Sequence, residues 1–568
     1  MMCRSRQAGV LRSALVHALL LSLLLIGSNG CRRERDAAVS TATADAAATP
    51  QEGGTLVRRI EADVDTLNMA LIGSGPEKQV LSFIHDALVD VNERLELIPG
   101  IAEKWEISED KRSYIFHLNP RANFSDGTPV RASDVVYTLK TIADPSTESA
   151  QLSGYFEGLD LARTRAIDEH TVEVAFDRAR ASQLAAFNIG ILPEHFYAKG
   201  DFKNDFNDRV LGTGPYVLVR RDAGQQIILE RRENYWRTKP FIQQIVFKVI
   251  PDDTVAWNAA KRGDIDETKM TSDQWQLERN RPEVVSSIDI KRFYSLDYNF
   301  IAWNNRNPIL SDKRVRIALS MCLDRAAIIN NVYFGTARII TGPFTPDQSA
   351  YDPDVPAIEY NPEEAARLLA SIGWRDTNGD GVLDKDGRPL AIEVLLSAGN
   401  KTSNLQAQLF QDSLKKIGVR LDLARVDGAT MISRALEGDY AATFLAWGLD
   451  LDPDPFSYFH SSQFPPNGMN IVYYANPEAD RLMEQAREEL DPDARIELYH
   501  QLHRVLAADQ PYAWTVQPSL KWAVNKRIQG VRESNGLGLF LWHPGPYEWW
   551  IPLNARRNES APGGGPPQ

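Results

Sequence analysis

The 568-residue chain is poor in cysteine. Of its three cysteines, Cys3 and Cys31 sit in the N-terminal stretch and only Cys322 falls in the body, so the body can form no intrachain disulfide. Cys322 lies in an apolar helical stretch with no His, Lys or Arg pattern around it, and reads as a small core residue rather than an activated thiol. There is no basic stripe, and the net charge is −13. A nucleic-acid partner is excluded on that balance, because phosphate binding is driven by clustered Lys and Arg. After the N-terminus no apolar run is long enough to span a bilayer. No internal repeat is present. P-loop, dinucleotide and nucleophile-elbow motifs are missing. Ser413-Leu-Lys-Lys416 fits S-x-x-K without its companion motifs. Glu497, His500 and His503 share helical spacing with no second metal motif, and read as a helix face. The chain is not expected to be an enzyme.

What is present begins at the N-terminus. Arg4, Arg6 and Arg12 precede an almost uncharged Leu-rich run, Ser13 to Ile26, which is short for a span and reads as the core of a secretory signal over residues 1–30. Ser28-Asn29-Gly30-Cys31 resembles the lipobox of bacterial lipoproteins, which implies lipidation of Cys31 and a lipid-anchored place in the periplasm or cell envelope. A plain signal peptide is the alternative. Residues 31–54, rich in Ala, Thr, Asp and Arg, read as a flexible tether, and residues 556–568, ending in Gly and Pro, as a disordered tail.

Between these ends the chain is too long for one core, so two or more lobes are expected. Composition is that of a globular protein, with 43% hydrophobic and 24% charged residues. Alternation at Tyr114, Phe116 and Leu118 marks a strand, as do Thr171 to Phe176 and Ile245 to Ile250. Glu77 to Val91, Pro362 to Gly373 and Asp493 to Ala508 carry helical patterns. Phe124-Ser-Asp-Gly-Thr-Pro129 is a turn, after which Ser133-Asp134 is expected to cap a helix. Strands and helices intermingle, which gives an α/β or α+β architecture.

These residues resemble a family. Trp105, Tyr114-Ile-Phe-His-Leu and Phe124-Ser-Asp-Gly-Thr-Pro-Val-Arg-Ala-Ser-Asp-Val-Val-Tyr are similar to the signature of the extracellular solute-binding proteins for peptides and nickel. Gly212-Thr-Gly-Pro-Tyr216, Asn234-Tyr-Trp236, Gly263-Asp-Ile-Asp266, Asp312-Lys-Arg-Val-Arg-Ile-Ala-Leu319 and Trp447-Gly-Leu-Asp450 follow in the family's order, together covering roughly Gly53 to Pro552. The resemblance implies a two-lobed periplasmic-binding-protein fold of the large peptide-binding class. Lobe I is expected over 55–297 and 514–555, lobe II over 298–513, with hinge crossings near Asp297 and Trp514. The implied function is that of a monomeric receptor that captures a peptide ligand and delivers it to the transmembrane subunits of an ABC permease, with no cofactor. A non-peptide ligand (an oligosaccharide, an opine or a metal chelate) and a sensor without transport stand as alternatives.

The resemblance also implies a site. Asp450 matches the position that pairs with a peptide's α-ammonium, and a desolvated ammonium needs a charged acceptor. Only one residue separates it from Asp452-Pro453, where the family has two, so Asp452 is the alternative partner. Main-chain groups of Ala446, Trp447 and Gly448 would pair with the ligand backbone as an added strand. Ser74 and Gly75 match a ligand-facing loop. Separately, Asp376, Asn378 and Asp380 occupy alternate positions of an EF-hand-like loop, with Val382 and Asp384 as further oxygen donors. Two readings stand for it: a structural Ca²⁺ site, or a hairpin turn.

Overall fold

The computed structural model describes residues 49–557. The expected signal sequence, Cys31, most of the tether and the end of the tail lie outside these residues. The chain divides into two units, Met1–Thr49 and Pro50–Gln568, and the following concerns the second.

Two large sheets carry it. In the first, strands lie in the order Ile288–Tyr294, Val516–Asn525, Glu267–Lys269, Thr55–Ile60, Gln244–Val249, Gln226–Arg231, Tyr216–Asp222. In the second the order is Arg420–Val426, Ala391–Ser397, Ala442–Gly448, Asp297–Trp303, Tyr512–Trp514. A separate four-stranded sheet contains Ser113–Leu118 between Ala102–Ile107 and Thr171–Ala175. The Tyr114, Phe116 and Leu118 side chains, all buried, pack with Val135, Leu139 and Ile142 of the Ala132–Ala143 helix. The strand alternation read from the sequence is therefore the alternation that fills this core.

Mixed architecture follows from the strand patterns. The Asp297–Trp303 strand is buried on both sides: Tyr298, Phe300 and Ala302 enter one core, Ile301 and Trp303 another. A central strand sandwiched by helices has this pattern. The chain passes directly from a strand of one sheet to a strand of the other between Tyr294 and Asp297 and between Trp514 and Val516. Ten-residue Val516–Asn525 pairs first with Ala337–Ile339 and then with Ile288–Tyr294.

Three local expectations need correction. The Glu77–Val91 pattern yields a helix only over Gly75–Leu81, followed by a strand at Val89–Val91. The next turn is taken by a distant partner: Gly214 N–H donates to Ile84 C=O (2.7 Å) and Tyr216 N–H to Phe83 C=O (3.1 Å). The Ala132–Ala143 helix is capped at Arg131, whose N–H donates to Asp134 Oδ2 (2.9 Å), so Asp134 acts from the third helical position rather than as the cap. Gln51 to Gly54, read as tether, are docked: Gly53 N–H donates to Phe241 C=O (2.7 Å) and Arg231 pairs with Glu52 (2.8 Å). At the other end Arg557 reaches Asp266 (2.9 Å).

The Phe124–Pro129 turn forms as expected. Gly127 has φ +90° and the Asp126 carboxylate accepts from Thr128 N–H (2.9 Å). Gly212-Thr-Gly-Pro is likewise a turn ahead of the Tyr216–Asp222 strand.

Candidate functional site

A cavity of about 790 Å³ is lined by residues from both sheets' surroundings and from the C-terminal return. Its size suits a small ligand, since such pockets run to about 300–1,000 Å³. One wall carries Lys78, His85 and Tyr155; the facing wall carries Leu449 to Asp452, Asp454 and Tyr458; Leu537, Phe540 and Trp542 supply apolar surface.

The acidic run at Asp450–Asp454 resolves into three different environments. Asp452 is held bidentately by Arg495 (2.6 and 2.7 Å). Asp454 pairs with Arg487 (2.6 Å) and accepts from Phe456 N–H (3.0 Å). Asp450 is exposed, and its Oδ1 accepts from the Tyr155 hydroxyl across the cavity (2.8 Å); no basic side chain pairs with it among the described residues. Burial raises the Asp452 carboxyl and Arg495 opposes that. Burial and the Asp450 charge push the Tyr155 phenol well up, so it stays a donor. Asp450 is therefore a carboxylate facing the cavity with charge to spare, whereas Asp452 and Asp454 are spent on structure.

The other expected site residues take up several positions. Ala446 and Gly448 are exposed at the end of their strand, just before the cavity wall begins at Leu449. That strand pairs fully with Asp297–Trp303 on one side, but on the other meets Val394 and Leu395 only at Ala442 and Thr443. From Phe444 onward one edge has no strand beside it among the described residues. The Trp447 indole stacks with Phe300 and packs on Tyr458, and its Nε1–H donates to the Tyr512 hydroxyl (3.1 Å). It braces the strand rather than presenting its ring as wall. Ser74 caps the Gly75–Leu81 helix reciprocally with Glu77 and lies, with Gly75, outside the lining; Lys78 and Leu81 of that helix belong to it.

Tyr155, Tyr458 and the C-terminal aromatics carry no sequence signal that marks them as cavity residues. The Asn234-Tyr-Trp236 block does gain a role. The Tyr235 hydroxyl (2.8 Å) and Trp236 indole N–H (2.7 Å) donate to opposite oxygens of buried Asp86, and Thr213 Oγ1 accepts from Asp86 N–H (2.9 Å). Burial raises the Asp86 carboxyl to about 6, with Arg237 and these donors pulling the other way. Two blocks of the sequence thus build the back of the cavity wall.

At Asp376–Asp384 the oxygens turn inward. Asp376 accepts from Gly379 and Gly381 N–H (2.7 and 3.0 Å), Asp380 from Val382 N–H (2.8 Å), and Asp384 from Thr377 (2.9 and 2.6 Å). Asp384–Lys385 then pairs with Arg388–Pro389. A hairpin thus follows the loop, and among the described residues no group of three His, Cys, Asp or Glu is arranged to hold a metal ion. His503 is likewise structural: Asp352 N–H donates to its Nδ1 (3.1 Å) and Nε2 faces Thr341 Oγ1 (3.0 Å).

A ligand-sized cavity lined by segments from distant parts of the chain, with an exposed carboxylate in its wall, is the geometry of a ligand-binding protein. Residues 96–470 match the model of the bacterial extracellular solute-binding proteins, family 5 Middle, and the chain belongs to that family. It is 28% identical over 549 residues to the oligopeptide-binding protein AppA of Bacillus subtilis, covering 95% of this chain and 99% of AppA. The solved structure of that protein in complex with a nonapeptide superposes with TM-score 0.71 at 27% identity, covering 89% of this chain and 100% of the other. NikZ from Campylobacter jejuni, solved with Ni(L-His), matches with TM-score 0.73 at 25% identity over 87% of this chain and 99% of its own.

Proposed function

We propose that the chain captures peptides outside the cytoplasmic membrane and hands them to an ABC permease, without catalysing a reaction. The observation that carries this is Asp450: an exposed carboxylate facing the cavity that, among the described residues, has no cation paired with it, next to a strand with one edge unpaired there. It would take the peptide's α-ammonium, while Ala446 to Gly448 pair with its backbone. Relatives named for oligopeptides support the same reading. Lobe I would comprise 55–297 and 514–555 and lobe II 298–513, hinged near Asp297 and Trp514, where the chain passes between sheets. Closure would then be driven by contacts a ligand makes to both walls at once.

Native mass spectrometry of the protein purified from cells tests this. Short peptides should dissociate from it, and Asp450→Asn should weaken their binding by about ten- to a hundredfold, as expected for one charge-assisted bond. A single non-peptide compound instead would favour a small chelate, a reading for which the Ni(L-His) neighbour and two cavity histidines, His85 and His543, speak. We also propose that Cys31 is lipidated and anchors a monomer to the membrane. Cys31→Ala should move the protein from the membrane to the soluble fraction; retention in the membrane fraction removes the anchor.

A further inference from the structure

The first sheet carries a group of like charges away from the cavity. In the Val516–Asn525 strand, Leu520 and Trp522 pack on one face with Phe540, a cavity residue, whereas Ala523 packs on the other face with Trp257 and Met270. Lys521 shares the face of Ala523, because side chains two apart along a strand point the same way. Arg292 of the Ile288–Tyr294 strand lies directly opposite Lys521 in the antiparallel register, which puts their Cβ atoms about 5 Å apart. On the other side Met270 N–H donates to Lys521 C=O (2.8 Å), and Lys269 ends the strand just before it. Three cations thus occupy three adjacent strands at nearly one level.

Among the described residues no side-chain hydrogen bond or ion pair reaches any of the three, and the surrounding carboxylates are committed elsewhere. Glu267 pairs with Arg58 (2.8 Å), Asp273 with Lys401 (2.6 Å), and Asp289 and Glu533 with Lys291 (3.1 and 3.5 Å). Asp297 feels the charge of Lys269 without forming an ion pair. Arg292 and Lys269 are exposed and keep their charge in water, but Lys521 is only 3% exposed. Burial, with Arg292 and Lys269 beside it, lowers its pKa to about 8, so at neutral pH most of the ammonium is still charged. An enclosed ammonium next to two further cations is costly unless an anion joins it.

We propose that Lys521, Arg292 and Lys269 bind a small oxyanion of the phosphate class, at a site separate from the cavity, which none of the three lines. A tetrahedral dianion offers oxygens to neighbouring strands at once, and charge-assisted bonds of this kind are the strong ones. Arg292 and Lys521 lie on the two strands that lead into the direct passages between sheets, Tyr294 to Asp297 and Trp514 to Val516. A bound anion would tie those two strands together.

The test is titration calorimetry of the full chain in mild detergent with inorganic phosphate at pH 7, the ionic strength held constant with chloride. A saturable one-to-one heat is expected, and Lys521→Met and Arg292→Gln should each weaken it at least tenfold. Glycerophosphoglycerol, the soluble headgroup of an anionic lipid, is titrated in parallel. Tighter binding of phosphate supports the site with a free anion as its ligand, and tighter binding of the headgroup supports it with a lipid. In phosphate-free buffer Lys521→Met should unfold at a higher denaturant concentration than wild type, since it removes a buried charge without a partner. No saturable heat from either compound, or a heat unaltered in Lys521→Met, overturns the site. Where Lys521→Met proves less stable than wild type, Arg292→Gln decides, because that position is exposed: full phosphate affinity in it overturns the site, and a tenfold loss upholds it.

Discussion

Single residues here are sorted by what their charge is spent on. Asp450, Asp452 and Asp454 look alike in the sequence, and spacing alone leaves two of them as ammonium partners. The sorting comes from Arg495 and Arg487, which lie 43 and 33 positions away from the carboxylates they hold. No local pattern announces such pairs, which is why the sequence leaves the choice open. His503 is a further case. It read as part of a helix face, yet it is fully enclosed, and a Cβ at Gly342 would fall within 2.1 Å of its ring. Burial lowers its pKa to about 4. Protonation would also place a donor at Nδ1 against the Asp352 amide. The unfolded chain takes up a proton near pH 6.5 and the folded chain only near 4, so the stability His503 supports is present above pH 6.5 and is lost as pH falls through that window. The effect is roughly 3 kcal/mol. In urea titrations across pH 4–7, His503→Gln should flatten the acid-side loss; an unchanged profile would remove His503 as its source.

Elements show where local pattern prevails and where it yields. Strands with two-residue alternation, and helices opened by Asn or Asp caps, as at Asn361 and Asp491, form close to the expected ranges. The Glu77–Val91 helix does not, although its apolar spacing is good, because the backbone of Phe83 and Ile84 is claimed by the Gly212–Tyr216 turn. That claim needs glycine. A Cβ on Gly212 would lie 2.2 Å from Ile84 O and one on Gly214 2.6 Å from Ile84 C. These are backbone atoms, with no rotamer to yield. Gly214→Ala is therefore expected to destabilise by at least about 2 kcal/mol, measured by denaturant unfolding. A smaller loss would mean that the turn can lift from the helix end. The family blocks were legible as scaffold, but their partners were not: Asp266 accepts from Val57 N–H and binds Arg527, and Asp312 caps a helix.

At the scale of the whole molecule, bonds between distant segments join stretches that the proposed function places in different lobes. Tyr155 donates to Asp450, Ala181 N–H donates to Arg487 C=O (2.9 Å), and Lys401 pairs with Asp273 (2.6 Å). The last is exposed at both ends and worth little. Tyr155→Phe removes the bond that reaches a charged group. It should shift ligand-free protein roughly fivefold toward an open form, read as a larger radius of gyration in solution scattering. An unchanged radius would show that the tyrosine does not hold the lobes together. The two-lobed outline was legible from the order of motifs. Bonds that cross the cleft were not, because they join residues with no shared pattern.

The lone thiol of the body has a practical consequence. Cys322 is buried, and burial pushes it up to about 12, so at neutral pH it offers no thiolate to an alkylating dye. In a Cys31→Ala background, fluorophores attached through Asp273→Cys and Lys401→Cys would report the opening and shutting of the lobes with no competing label inside. The architecture is, in effect, already prepared as an optical sensor for whatever ligand it holds.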